Sequence, residues 1–278
     1  MSAAITRLVN TTSLLLLVMV IACESPTRES HLPPPPPAPP LSLPAEYSLS
    51  GDVRDTANRV IPDVRIQVVE GSQVGVSTMT DASGRFELPG TFTGVVVVQA
   101  EKAGYVSMTR RTRPGPYVGG RQILFFDMAL DAPSVNLTGD WNLTLQADAS
   151  CAAVPEVLRT RTYTASLAPS LLRPQNYVGL LSGAEFRGPR TEMYIGVAGT
   201  YASFDLSSGW DAEYYILEKL APSGYLAIWG VGEGSVSESM VSGSLRGSFE
   251  CCTSSDSNLK CEVKPILCEP SALTLVRR

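Results

Sequence analysis

The chain has one histidine, His31, and it lies in the proline-rich run "HLPPPPPAPPLSLP". Acyl transfer of the Ser-His-Asp or Cys-His kind needs an imidazole in the folded region, and histidine-ligated zinc needs the same. The sequence offers neither. There are six cysteines, at positions 23, 151, 251, 252, 261 and 268. A four-cysteine zinc site would draw on the last four, but no close C-x-x-C pair is present. Glu185, Asp205, Asp211, Glu213 and Glu218 are the carboxylates available for the paired acid and base of glycoside hydrolysis. Solvated surface accounts for acidic residues far more often. "GVGEGSVSE" is glycine-rich but lacks the strand-to-helix context of a phosphate loop. The expectation is a protein that is not an enzyme and uses no cofactor and no metal.

Where the cysteines sit in the cell decides how they are read, and the amino-terminal segment decides that. Leu14–Ala22 is an apolar run with Arg7 ahead of it. It is too short for a transmembrane helix, which takes about 20 residues. A charged region, a short apolar region and a small residue before a cut describe an export signal. Val20-Ile21-Ala22-Cys23 resembles the bacterial lipobox. That resemblance implies a signal peptide over residues 1–22, cleavage after Ala22, and lipidation of Cys23 as the new first residue. More than one acyl chain, at about 0.8 kcal/mol per buried CH₂, anchors stably. Glu24 stands where an aspartate in such lipoproteins implies retention at the inner membrane. The resemblance therefore implies an exported protein on the outer membrane of a Gram-negative bacterium, facing the periplasm or the surface. Residues 23–45 carry the anchor and a proline spacer. Proline lacks the donor for a helix or sheet ladder, so Pro33–Pro44 predicts an extended polyproline II rod of roughly 35–40 Å.

The rest of the chain is long enough for two domains. Net charge is −5, so no basic surface is implied and nucleic acid is not an expected partner. Charged residues make up only 18%. No long segment repeats apolar residues at the helical period, and turn residues recur at short intervals. The expected fold class is all-β.

Residues 46–131 read strand by strand. "EYSLSGDVRD" alternates and then breaks, and "IPDVRIQVVE" puts Val64, Ile66 and Val68 on one face. "GVSTMTDASGRFELPG" is a hairpin turning at Asp81–Gly84, and "GVVVVQAEKAGY" and "QILFFDMAL" are further strands. The quoted "SGDVRD", "IPDVRIQV", "TDASGRFELPG" and "EKAGYVS" resemble the carboxypeptidase regulatory-like domain. The resemblance implies a transthyretin-like β-sandwich that accompanies another domain and is not itself catalytic. In the T-D-x-x-G-x-F element, Asp81 is suited to cap the turn, Gly84 to take φ > 0, and Phe86 to enter the core. Asn58 stands where the family often has glycine, and asparagine tolerates the left-handed conformation.

Residues 135–278 predict about eight strands, in "NLTGDWNLTLQA", "RTRTYTASLA", "NYVGLLSGAEF", "MYIGVAGTYASFDL", "EYYILEKLA", "GYLAIWGVGEG", "MVSGSLRGSFEC" and "SALTLVRR". Glycines recur inside them at 196–199, 230–234 and 243–247, as bends in a barrel wall require. The expectation is an antiparallel β-barrel-like or strongly bent sandwich domain. Gly139-Asp140-Trp141 is similar to the G-x-W that opens lipocalin barrels. Trp141 and Trp229 are assigned to the core. Trp210, in the turn-like "SSGWDAEYY", is the candidate exposed contact, with Tyr214 and Tyr225 as further candidate ligand contacts.

In an oxidising compartment the cysteines read as disulfides. Five remain beyond Cys23, so one is left over. The preferred pairing is Cys252 with Cys261, closing a polar loop, and Cys151 with Cys268, joining the ends of the second domain. Cys251 can substitute for either neighbour. The expected role is non-catalytic: a lipid-anchored envelope protein with a structural, adhesive or accessory binding function. Its expected partners are the membrane, through the lipid, and an envelope protein, a glycan or a small apolar ligand. The alternatives are a lipocalin-like carrier of a small apolar ligand and a carboxylate-dependent glycan hydrolase.

Overall fold

The computed structural model describes residues 46–113, 120–132, 134–152, 154–173, 175–187, 191–206, 216–255, 258–261 and 271–278. Ala22, Cys23, His31, Trp210, Asp211, Glu213, Tyr214 and Cys268 lie outside the described residues. The fold is all-β, a sandwich followed by a closed antiparallel barrel.

The sandwich contains β1 (Tyr47–Asp55), β2 (Arg65–Glu70), β3 (Ser77–Met79), β4 (Arg85–Phe92), β5 (Val97–Glu101), β6 (Met108–Arg111) and β7 (Arg121–Met128). One sheet runs β4-β1-β7 and the other β3-β2-β5-β6. Strict alternation along β1 sends Tyr47, Leu49 and Val53 inward. They meet Val64, Ile66 and Val68, all fully buried, from the opposite sheet. The 81–84 turn forms as its sequence predicts. The Asp81 carboxylate accepts the backbone N–H groups of Ser83 (2.8 Å) and Arg85 (2.9 Å), Gly84 sits at φ 75°, and Phe86 is buried. These bonds hold the Asp81 carboxyl below its usual range, with the Ser83 hydroxyl the largest cause. Asn58 takes φ 65°, so it does replace a glycine in conformation.

The barrel strands are β8 (Gly139–Gln146), β9 (Thr160–Pro169), β10 (Asn176–Ser182), β11 (Glu192–Ala198), β12 (Tyr201–Leu206), β13 (Ile216–Ala221), β14 (Gly224–Val236), β15 (Met240–Ser255), β16 (Asn258–Cys261) and β17 (Ser271–Arg277). The order β14-β12-β11-β10-β9-β8-β17-β15 closes through the β14–β15 pairing, giving an eight-stranded antiparallel ring. "MYIGVAGTYASFDL" is therefore two strands, split where Gly199 turns at φ 63°. β14 and β15 outrun the ring, and their far halves are flanked by β13 and β16.

An eight-stranded barrel has an interior that side chains can just fill. Here Trp141, Leu143, Met193, Phe204, Leu245 and Phe249 belong to one contiguous buried cluster. The glycine positions serve this packing. A Cβ on Gly232 would come 3.0 Å from the Phe204 ring, and one on Gly243 would come 2.7 Å from it. The ring thus fills the space that two neighbouring strands leave open. At one mouth the Trp141 indole N–H donates to the Leu137 carbonyl (2.8 Å), with the Arg277 guanidinium 4.6 Å from the ring centre. At the other, Glu218, only 3% exposed, is held by Arg161 Nε (2.8 Å) and the Tyr163 hydroxyl (2.8 Å). A second guanidinium nitrogen of Arg161 also donates to Glu218. The Tyr163 phenol is pushed up, first by burial and then by its bond to Glu218, while Glu218 raises the Arg161 guanidinium.

Trp229 corrects the core assignment. It is half-buried, and it alternates with Leu226 and Ile228, which occupy the interior, so it projects from the outer face. The interior side of that strand instead carries Gly230, Gly232 and Gly234.

Candidate functional site

A groove of about 810 Å³ opens where the sandwich meets the outer wall of the barrel. It begins with a turn. The Asp55 carboxylate, 2% exposed at the end of β1, accepts the backbone N–H groups of Ala57 and Arg59, both at 2.9 Å, and Arg59 Nε at 2.7 Å. An ionised acceptor holding three N–H groups makes a stiff loop. It presents Thr56 and Arg59 to the β11–β12 hairpin.

Thr56 is buried, and its hydroxyl donates to the Val197 carbonyl at 2.5 Å. The Gln175 amide donates to Leu130 O at 3.2 Å, tying the exit of the sandwich to the entrance of β10. The Arg59 guanidinium lies 4.6 Å from the centre of the Tyr201 ring, a cation–π contact. Tyr201 in turn donates to Glu233, and its phenol is pushed up to about 12 by partial burial and by that carboxylate. Close approach depends on Gly196, an outward position on β11: a Cβ there would lie 2.2 Å from the Thr56 carbonyl oxygen.

Strand register lays out the floor. Tyr194, Asp205, Val231 and Arg246 pair successively across β11, β12, β14 and β15. Gly196, Ser203, Glu233 and Ser244 form the next row. The walls are the Asp55–Arg59 turn, Asp127 of β7, and Ser170, Leu172 and Arg173 between β9 and β10. Arg173 Nε stands 3.9 Å from Asp127.

Of the carboxylates singled out in the sequence, the three among the described residues are dispersed. Asp205 is on the groove floor, Glu185 pairs with Lys219 at 2.5 Å on the exterior, and Glu218 is locked inside by Arg161. Asp205 and Glu218 thus lie on opposite faces of the barrel wall. Tyr225, expected as a ligand contact, is 8% exposed and packed with Leu217, Ala227 and Cys252. The Arg187 guanidinium lies 5.3 Å from its ring centre. Cys151 and Cys252 are buried, Cys251 is half-buried, and Cys252 pairs directly opposite Cys261 across β15 and β16. No group of three metal-ligating side chains is gathered among the described residues, nor is any helix long and apolar enough to cross a membrane.

The turn that builds the groove belongs to a recognisable module. Residues 48–117 match the family model of the carboxypeptidase regulatory-like domain. The regulatory-like domain so matched includes β1–β6 and the Asp55–Arg59 turn, while β7, which completes its first sheet, follows the matched span. No curated protein matches the chain. Of the docking residues, Thr56, Arg59 and Tyr201 were not singled out in the sequence, and Gly196 was read as a bend in the barrel wall rather than as the point of close approach to Thr56. Only the Asp-x-x-x-Arg spacing in this turn and the outward parity of Gly196 on its strand signalled them.

Proposed function

We propose that the chain is a non-catalytic, lipid-anchored component of a bacterial cell envelope whose two β-lobes serve an accessory binding role. One observation carries the binding part of this reading. The barrel interior is occupied by its own side chains, whereas a large polar groove opens on its outer wall, where the sandwich docks. Ligand sites are concave and carry a few convergent polar groups, and the groove has this form. The apolar-carrier alternative draws less support, because a carrier needs its volume inside the barrel. The anchoring part is supported by Val20–Cys23 and by the proline spacer that follows. Removing the acylated thiol removes all the membrane affinity that acyl burial supplies. Cys23→Ser is therefore expected to move the protein from the membrane pellet to the soluble fraction of an envelope preparation. A variant that stays in the pellet, or a wild-type protein carrying an unprocessed leader in the cytosol, would refute the anchor.

The envelope reading also includes an oxidising compartment. In it we assign Cys252 to Cys261 and Cys151 to Cys268. Support comes from the burial of Cys151 and Cys252 and from the direct cross-strand pairing of Cys252 with Cys261. The denatured, unreduced mature protein is then expected to titrate with about one thiol per chain, and reduction to change its electrophoretic mobility. Titration of all five downstream cysteines as thiols would rule this out.

A further inference from the structure

We infer that the groove between sandwich and barrel is a binding site for a neutral oligosaccharide. The inference rests on the reading of this groove as the ligand surface and adds the chemistry of the ligand. Charge in the groove is interleaved. Arg59 is bonded to Asp55, Arg173 stands beside Asp127, and Asp205 and Arg246 flank Val231 in a single row. With Glu233 in the second row, the groove lining holds four carboxylates and three guanidinium groups, so neither an anionic nor a cationic ligand meets a surface of one sign. A polyhydroxylated neutral chain needs no such surface. Each hydroxyl both donates and accepts, so it suits a surface where acceptor-only carboxylates and donor-only guanidinium groups alternate.

The same row holds two exposed apolar surfaces, the Tyr194 ring (46% exposed) and the Val231 side chain (42% exposed). The Tyr194 hydroxyl is engaged by Glu192 at 2.7 Å, which fixes the ring by its tip and leaves its body as a platform. A sugar ring has C–H groups on its faces and hydroxyls at its rim, and this floor offers apolar contact and polar contact in the same alternation. Three inter-strand spacings make the row about 14 Å long, the scale of a short oligosaccharide. Because one wall comes from the sandwich and the floor from the barrel, the site exists only while the two lobes are docked.

The test titrates the full-length protein, in a detergent without a sugar headgroup, with cellohexaose, chitohexaose and maltohexaose, using oligogalacturonate as the anionic comparison. Heats of binding are read by calorimetry. At least one neutral chain is expected to bind with a dissociation constant between about 10 μM and 1 mM. Tyr194→Ala should weaken binding at least about tenfold, while Tyr194→Phe, which keeps the ring, should stay within about twofold. Unchanged thermal unfolding of both variants establishes that they fold. Binding of oligogalacturonate alone, lost in Tyr194→Ala, overturns the neutral class and leaves the groove standing as the ligand surface. Neutral binding that Tyr194→Ala does not weaken overturns the site. Failure of every probe to bind overturns the inference as well, and does so independently of the membrane fractionation of Cys23→Ser.

Discussion

Arg161→Met is expected to destabilise the protein by about 3 kcal/mol, because it strands the Glu218 carboxylate inside the barrel mouth. Glu218 is 3% exposed, whereas the Arg161 side chain keeps 24% of its surface in solvent. The two partners are therefore not equivalent. Loss of Glu218 leaves a guanidinium that can turn toward water, but loss of Arg161 leaves an anion whose remaining partner is the Tyr163 hydroxyl. For a folded region of this size the shift corresponds to roughly 6–12 °C in melting temperature. The double variant Arg161→Met with Glu218→Met should recover most of the loss, since replacing both members of a buried pair by apolar groups is often neutral. Equal melting temperatures for the single and double variants, measured by circular dichroism, would show that the ion pair does not secure this mouth.

Gly196→Val should undock the lobes while leaving each one folded. The backbone of Gly196 is not in the left-handed region, so valine is locally acceptable in β11 and favoured by its β-branched shape. The obstacle is external, a Cβ placed 2.2 Å from the Thr56 carbonyl. Relieving it moves the Asp55–Arg59 turn outward. That breaks the Thr56–Val197 hydrogen bond and the Arg59–Tyr201 contact, together worth about 1–3 kcal/mol of coupling between the lobes. Calorimetry is expected to show one transition in the wild type and two in the variant, the first at lower temperature. One transition at the wild-type temperature would mean that docking does not depend on close approach at Gly196.

Local chemistry was readable in the sequence where it repeats at short range. The Asp81 turn, the left-handed Asn58 and the burial of Val64, Ile66 and Val68 each depend on residues within a few positions of one another. The glycines of β14 and β15 were legible as special positions but not in their role: the β14–β15 register runs without a bulge, and Gly232 and Gly243 make room for the Phe204 ring. Trp229 was misassigned because "YLAIW" is apolar throughout and hides its period, so nothing in the letters marks which parity faces inward. Burial of Tyr225 was hidden by the same uniform run. The candidate site lay further from reach. The bonds that dock the lobes join Thr56 to Val197 and Leu130 to Gln175, and the buried ion pair joins residues 161 and 218. Which outward side chains face one another across such separations is decided by barrel closure and by where the sandwich lands. No run of neighbouring residues records either.

The parallel pairing of β1 with β7 has a mechanical consequence. Eight consecutive residue pairs, from Ser48 with Arg121 to Asp55 with Met128, hold these strands side by side. The chain enters this ladder at the Ser48 end of β1 and leaves for the barrel at the Met128 end of β7. A pull applied between residue 46 and the barrel therefore slides one strand along the other and loads every rung at once. No rung peels off ahead of the rest, so the sandwich resists traction as a clasp does, and a load taken up by the barrel passes to the amino-terminal side without opening the module in between.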